Sequence, residues 1–101
     1  MIICVGTLDM SRETYANVED RLIELTRSAR EETGCEGYDI GRDIADPDRI
    51  TITERWADRD ALDAHLEGPA MQAFQSATED AGDVAINVTV FEAGDGEPFG
   101  G

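Results

Sequence analysis

CEGYDIGRDIADPDRITITERW, residues 35–56, reads as two strands around one turn. From Arg49 to Trp56 the side chains alternate, with Ile50, Ile52, Glu54 and Trp56 on one side and Arg49, Thr51, Thr53 and Arg55 on the other. A period of two is the mark of a strand with one buried face. Cys35 to Ala45 is mixed, setting Tyr38, Ile40, Arg42 and Ile44 against Asp39, Gly41 and Asp43. This predicts a strand with one polar face, or a bulged one given its glycines. Asp46-Pro47-Asp48 is a turn signal, so the two runs pair as a hairpin.

Upstream of the hairpin, Tyr15, Val18, Leu22, Leu25 and Ala29 recur at spacings of three and four. They form one apolar stripe on a helix, with Ser11 as N-cap and Gly34 as the C′ residue that closes it. Ile2 to Leu8 is short, apolar and β-branched, which predicts a strand buried on both faces. Downstream, Asp58 caps a short helix, Arg59 to Glu67, whose inner face is Leu62, His65 and Leu66. Gly68 breaks it. Pro69 then stands where a helix favours proline, ahead of a third helix over Ala70–Ala81 with Met71 and Phe74 inward. The last strand, Val84 to Phe91, sets Val84, Ile86, Val88 and Val90 against Ala85, Asn87, Thr89 and Phe91. The tail from Gly94 to Gly101 is Gly-rich and predicts a flexible end.

Strand, helix, strand, strand, helix pair, strand is the split βαβ order of a ferredoxin-like α+β fold. It predicts one domain over residues 1–93, an antiparallel four-stranded sheet with helices on one face. Helices cover only one face, yet the strands carry apolar residues on both. A second face this apolar needs a partner, so the expected assembly is a homodimer, sheet against sheet.

The chain has 101 residues, enough for one modest core. Its 23 acidic residues face 8 basic ones, all Arg, for a formal net charge of -15. That excess argues against nucleic acid or an anionic membrane as partner, since phosphates repel it. The 41% hydrophobic content is too high for a disordered acidic chain. No apolar run approaches the ~18 residues of a membrane span. Met1 to Val5 lacks the basic start of a signal peptide, which leads to the expectation of a cytoplasmic protein. Cys4 and Cys35 form no CxxC pair, and with a single His they match no metal spacing. No glycine-rich phosphate loop, GxSxG or HExxH appears, so no cofactor and no metal is expected.

Gly34-Cys35-Glu36-Gly37-Tyr38, the turn Asp46-Pro47-Asp48-Arg49, Glu54-Arg55-Trp56 with Ala61-Leu62-Asp63-Ala64-His65-Leu66, then Pro69 and Gln72-Ala73-Phe74, resemble the antibiotic biosynthesis monooxygenase (ABM) family. The resemblance covers about residues 1–93. It implies a dimeric α+β barrel, with one pocket per subunit between sheet and helices. It also implies oxidation of a quinol or other small polyphenolic compound by O₂ with no prosthetic group. Once deprotonated, an electron-rich aromatic can itself give an electron to O₂. The protein then needs only a base, an apolar cavity and dipoles for the developing anion. The same pocket would serve an isomerase of a small carbonyl compound, or a non-catalytic dimer that binds a metabolite or acts in a stress response.

His65, the only histidine, is the first candidate for acid–base work, with helix packing as the alternative. Glu54 on an apolar strand face is costly to bury unless paired. It is therefore either a base with a raised pKa, a ligand for a substrate hydroxyl, or an ion-pair partner of Arg42 or Arg55. Trp56 is a candidate pocket wall whose indole N–H reaches a substrate oxygen, with core packing as the alternative. Tyr38 offers a phenol, Phe74 an aromatic wall, and Thr7 and Asn87 lie on strands expected to be neighbours, where each could offer a hydrogen bond. Haem-degrading relatives rely on an Asn in the first strand, and Ile2 to Leu8 has none. A second histidine, frequent in the family just after the Pro69 position, is replaced here by Ala70 and Met71.

Overall fold

The computed structural model of the protein describes residues 1–100. The chain runs β1 (Ile2–Asp9), α1 (Arg12–Glu31), β2 (Cys35–Arg42), β3 (Arg49–Trp56), α2 (Arg59–Glu67), α3 (Pro69–Ala81) and β4 (Ala85–Glu92). The four strands form one antiparallel sheet in the order β2-β3-β1-β4. This is the ferredoxin-like α+β arrangement expected from the element order. No helix among the described residues is long and apolar enough to cross a membrane.

Local chemistry sets the boundaries. The Ser11 hydroxyl accepts from Thr14 N at the start of α1, and the Asp58 carboxylate does the same for Ala61 N at the start of α2. Helix α1 ends one residue earlier than a Gly34 C′ would place it. Glu32 is the C-cap, and Gly34 takes the left-handed conformation (φ 82°) that swings the chain into β2. A Cβ on Gly34 would also lie 2.6 Å from the Cβ of Ala61 in α2. Gly34→Ala is therefore expected to cost at least about 1–2 kcal/mol, the price of a left-handed L-residue. A urea melt with an unchanged midpoint would contradict this.

The β2–β3 hairpin has the expected bulge, between Cys35 and Gly37. Strand β2 stops at Arg42 rather than continuing to Ala45. Asp43 Oδ1 accepts from Ala45 N (2.8 Å) and Asp46 N (3.0 Å), which folds the chain into the turn. Ile44, expected on the apolar side of the strand, instead lies fully exposed in that turn.

Register decides which side chains meet. On the helix-covered face, Ile2 pairs with Trp56, Cys4 with Glu54, and Leu8 with Ile50, while Tyr38 and Ile40 sit opposite Glu54 and Ile52. Val18, Leu22, Leu25 and Ala29 of α1, Leu62 of α2 and Phe74 of α3 close over them as the core. Leu66, expected inward, is partly exposed.

The far face is bare. Strand β1 is buried on one face only in the single chain, with Val5 46% exposed. The helices also stop short of β4, whose residues are all exposed, Ile86 at 50% and Phe91 at 52% among them. After β4, residues 93–98 have no regular structure. Gly101, the last residue of the tail, lies outside the described residues.

Candidate active site

Where β2, β3 and α2 meet, three aromatic rings stack inside the protein. Tyr38, Trp56 and His65 are each 1% exposed or less. The His65 ring lies 4.8 Å from Trp56 and 5.3 Å from Tyr38 between centroids. Alternation on β3 delivers Trp56 and Glu54 to this face, and the helical spacing of Leu62 and His65 brings the histidine down onto them.

The cluster is polar inside an apolar frame, so its bonds can be followed atom by atom. Trp56 Nε1–H donates to Glu54 Oε1 at 3.0 Å. His65 Nδ1 lies 2.9 Å from Glu32 Oε2 and 3.2 Å from Oε1. An ionised carboxylate only accepts, so Nδ1 carries the proton. The other ring nitrogen, Nε2, has no hydrogen-bond partner and faces Glu54 Oε1 at 3.9 Å. The Tyr38 hydroxyl is likewise buried and without a partner.

Burial pushes the Glu54 carboxyl above the usual carboxylate range, against the Trp56 donor and the nearby His65 ring, and Glu32 adds to the rise. Burial and the charges of Glu54 and Glu32 hold the Tyr38 phenol up, so it keeps its proton. The Cys4 thiol is pushed up to about 11, by burial first and Glu54 second. Burial also raises the Cys35 thiol. Both cysteines are free, and with protonated thiols they act as small apolar side chains.

Beside the cluster, between sheet and helices, is a cavity of about 190 Å³. Leu25, Ile40, Ile52, Met71, Phe74 and Val88 are among its walls, and Glu54 is the one ionisable residue lining it. A shallower cleft of about 280 Å³ along α1, with Tyr15, Glu19 and Arg27 at its edges, holds no buried ionisable group.

The family model described as "Antibiotic biosynthesis monooxygenase" matches residues 1–77. The chain belongs to the antibiotic biosynthesis monooxygenase family. The Escherichia coli relative YgiN, whose printed name is "Probable quinol monooxygenase", is 31% identical over 86 residues, covering 76% of this chain and 81% of that one. A crystal structure from Deinococcus radiodurans, of a protein named for the same family, superposes with a TM-score of 0.90 at 30% identity, covering all of both chains. A Caulobacter crescentus protein, also named for the family, shares the fold at 23% identity (TM-score 0.83, covering 93% and 90%).

Within this family frame the expected site residues separate into three groups. Glu54 and Phe74 line the cavity. His65, Trp56 and Tyr38 pack directly behind Glu54, and the indole N–H is spent on Glu54 rather than left for a substrate oxygen. Thr7 and Asn87 do neighbour each other, as register partners. Their parity in β1 and β4, however, puts them on the bare face, opposite Glu54, with the sheet between. Neither Arg42 nor Arg55 pairs with Glu54. Arg42 stacks over the Tyr15 ring and donates to Pro47 O, and Arg55 alternates onto the far face.

Glu32 is the residue that sequence reasoning missed. One signal was available: Glu31 and Glu32 put two negative charges at the C-terminal end of α1, where the helix dipole disfavours them. Among the described residues no cluster of three or more His, Cys, Asp or Glu is placed to hold a metal.

Proposed function

We propose that the protein is a cofactor-independent monooxygenase that oxidises a small hydroquinone or related polyphenol with O₂. The observation that carries this reading is a single buried carboxylate, Glu54, lining an otherwise apolar cavity and backed by the only histidine. The family and the printed name of YgiN support the reaction class.

A carboxylate raised by burial is a stronger base than an exposed one, and so better matched to a weakly acidic phenol. With Glu54 taking the phenolic proton, the resulting anion gives an electron to O₂. The substrate supplies all four electrons: one oxygen atom enters the ring, the other leaves as water, and a hydroxyquinone results. The apolar walls keep bulk water from the reacting anion. Tyr38, packed behind Glu54, keeps its proton and adds no second negative charge there.

Cavity size narrows the substrate. A void of ~150 Å³ takes a benzene molecule, so about 190 Å³ suits one substituted ring. The formal charge of -15 disfavours anionic substrates. The test is a panel of hydroquinones, methylhydroquinone first, followed by O₂ uptake and quinone absorbance. Uptake above the autoxidation blank supports the reading. Binding without uptake would leave a metabolite-binding module, and proton exchange at carbon without uptake would leave an isomerase.

The working unit is a homodimer. Its support is apolar exposure on both sides of the sheet around β4: Val5 and Phe91 on the far face, and Ile86, Val88 and Val90 on the helix face where the helices stop short. Light scattering at micromolar concentration is expected to give twice the 11.0 kDa chain mass. A species of one chain mass would contradict it.

A further inference from the structure

The geometry points to Glu32 as the positioning residue of the site: it fixes the tautomer of His65 and holds that ring as a temporary store for the substrate's proton. This rests on the proposed role of Glu54 as base.

Three observations carry it. The first is reach across the fold. Glu32 caps α1 and His65 lies in α2, so their contact joins two elements that neither sequence pattern brings together. The second is bond direction. Both Glu32 oxygens lie within hydrogen-bond range of Nδ1, which commits that nitrogen to its proton and leaves the Nε2 lone pair open. The third is what Nε2 does with its lone pair. It is fully buried, accepts from nothing, and faces Glu54 Oε1. An unpartnered buried acceptor is costly, and here Glu54 Oε1 stands nearby at 3.9 Å.

The 3.9 Å gap is not yet a hydrogen bond. It closes when Glu54 carries a proton, because a protonated carboxyl can donate where a carboxylate cannot. The proton then passes from the substrate hydroxyl to Glu54 and on to Nε2. The imidazolium so formed sits between two carboxylates. Overall the reaction of a quinol with O₂ to hydroxyquinone and water releases no proton. The stored proton therefore returns through Glu54 to the oxygen that departs as water. The other titratable side chain packed against the ring, Tyr38 on β2, is held protonated and does not compete for this proton.

Glu32 keeps 27% of its side chain exposed, which makes it replaceable without emptying the core. The chain has one histidine, so ¹⁵N spectra of labelled protein read His65 alone. At a pH where the ring is neutral, the wild type is expected to show the proton on Nδ1. In Glu32→Ala nothing accepts from Nδ1, and the proton moves to Nε2, which faces the Glu54 carboxylate. With methylhydroquinone, Glu32→Gln is expected to lower kcat by about 10–10²-fold, the usual scale for an orienting partner, with KM unchanged. In Glu32→Ala, added formate is expected to restore part of the lost kcat, which a purely structural role would not allow.

An unchanged tautomer in Glu32→Ala, or a kcat of Glu32→Gln within twofold of wild type, would overturn the inference. The spectra do not depend on turnover. A wild type that consumes no O₂ but shows the tautomer switch would therefore overturn the proposed function and leave the positioning role of Glu32 standing.

Discussion

Glu54→Gln is expected to lower kcat on a hydroquinone by about 10²–10⁴-fold, the range that a positioned base contributes. The fold should survive it. Gln keeps an acceptor for Trp56 Nε1–H, whose bond to Oε1 is 3.0 Å, and removes a buried charge. The pH dependence has a fixed sign. Burial raises the Glu54 carboxyl, so kcat/KM of the wild type climbs with pH through a midpoint above the ordinary carboxylate range. Stability moves the other way. The native state holds this proton more tightly than the unfolded chain does. Stability is therefore lost as pH rises from the unfolded carboxylate value through the raised native one. Glu54→Gln should abolish both slopes together. A variant with kcat within tenfold of wild type would show that another group takes the proton.

Trp56→Ala is expected to produce the largest loss of stability in the chain. Trp56 is 0% exposed and packs against Tyr38 and His65. Removing a buried Trp side chain costs about 3–5 kcal/mol, against a total of about 5–15 for a typical domain. In a domain this small that lowers the melting temperature on the order of 10–40 °C. Trp56→Phe separates packing from hydrogen bonding. It keeps a large ring but deletes the N–H that holds the Glu54 carboxyl down, so the acidic limb of the activity profile should move to higher pH. A calorimetric scan and a pH profile check the pair. A limb that stays in place in Trp56→Phe would mean that the indole bond does not govern Glu54.

The hairpin and the helices were legible because their signals are local. Ile50, Ile52, Glu54 and Trp56 alternate, Ser11 and Asp58 are caps by residue type, and the α1 stripe repeats every three or four residues. The site was legible where it follows from that alternation. A carboxylate in phase with Ile52 and Trp56 must face the core, and it does. The place of Thr7 was not legible. Strand β1 is apolar on both sides, with Ile2, Cys4 and Leu8 against Ile3 and Val5. Its inner face is settled only by pairing with β3, and a shift of one residue inverts every side chain. Asn87 inherits that ambiguity through β4. Glu32 was the least legible of all. Its partner lies 33 residues away, and no periodicity relates the end of one helix to the last turn of another.

That a carboxylate in an apolar cavity lets a hydroquinone react with O₂ without a prosthetic group is open to a test by oxygen stoichiometry. Wild-type and Glu54→Gln protein are compared with methylhydroquinone in an oxygen electrode, with and without catalase, and the product is weighed by mass spectrometry. The wild type is expected to consume one O₂ per quinol, to return no oxygen on adding catalase, and to yield a product with one oxygen more and two hydrogens fewer. Uptake by Glu54→Gln is expected to stay near the autoxidation blank. Oxygen returned by catalase, which marks peroxide and a plain quinone product, or equal uptake by the two proteins, would contradict it.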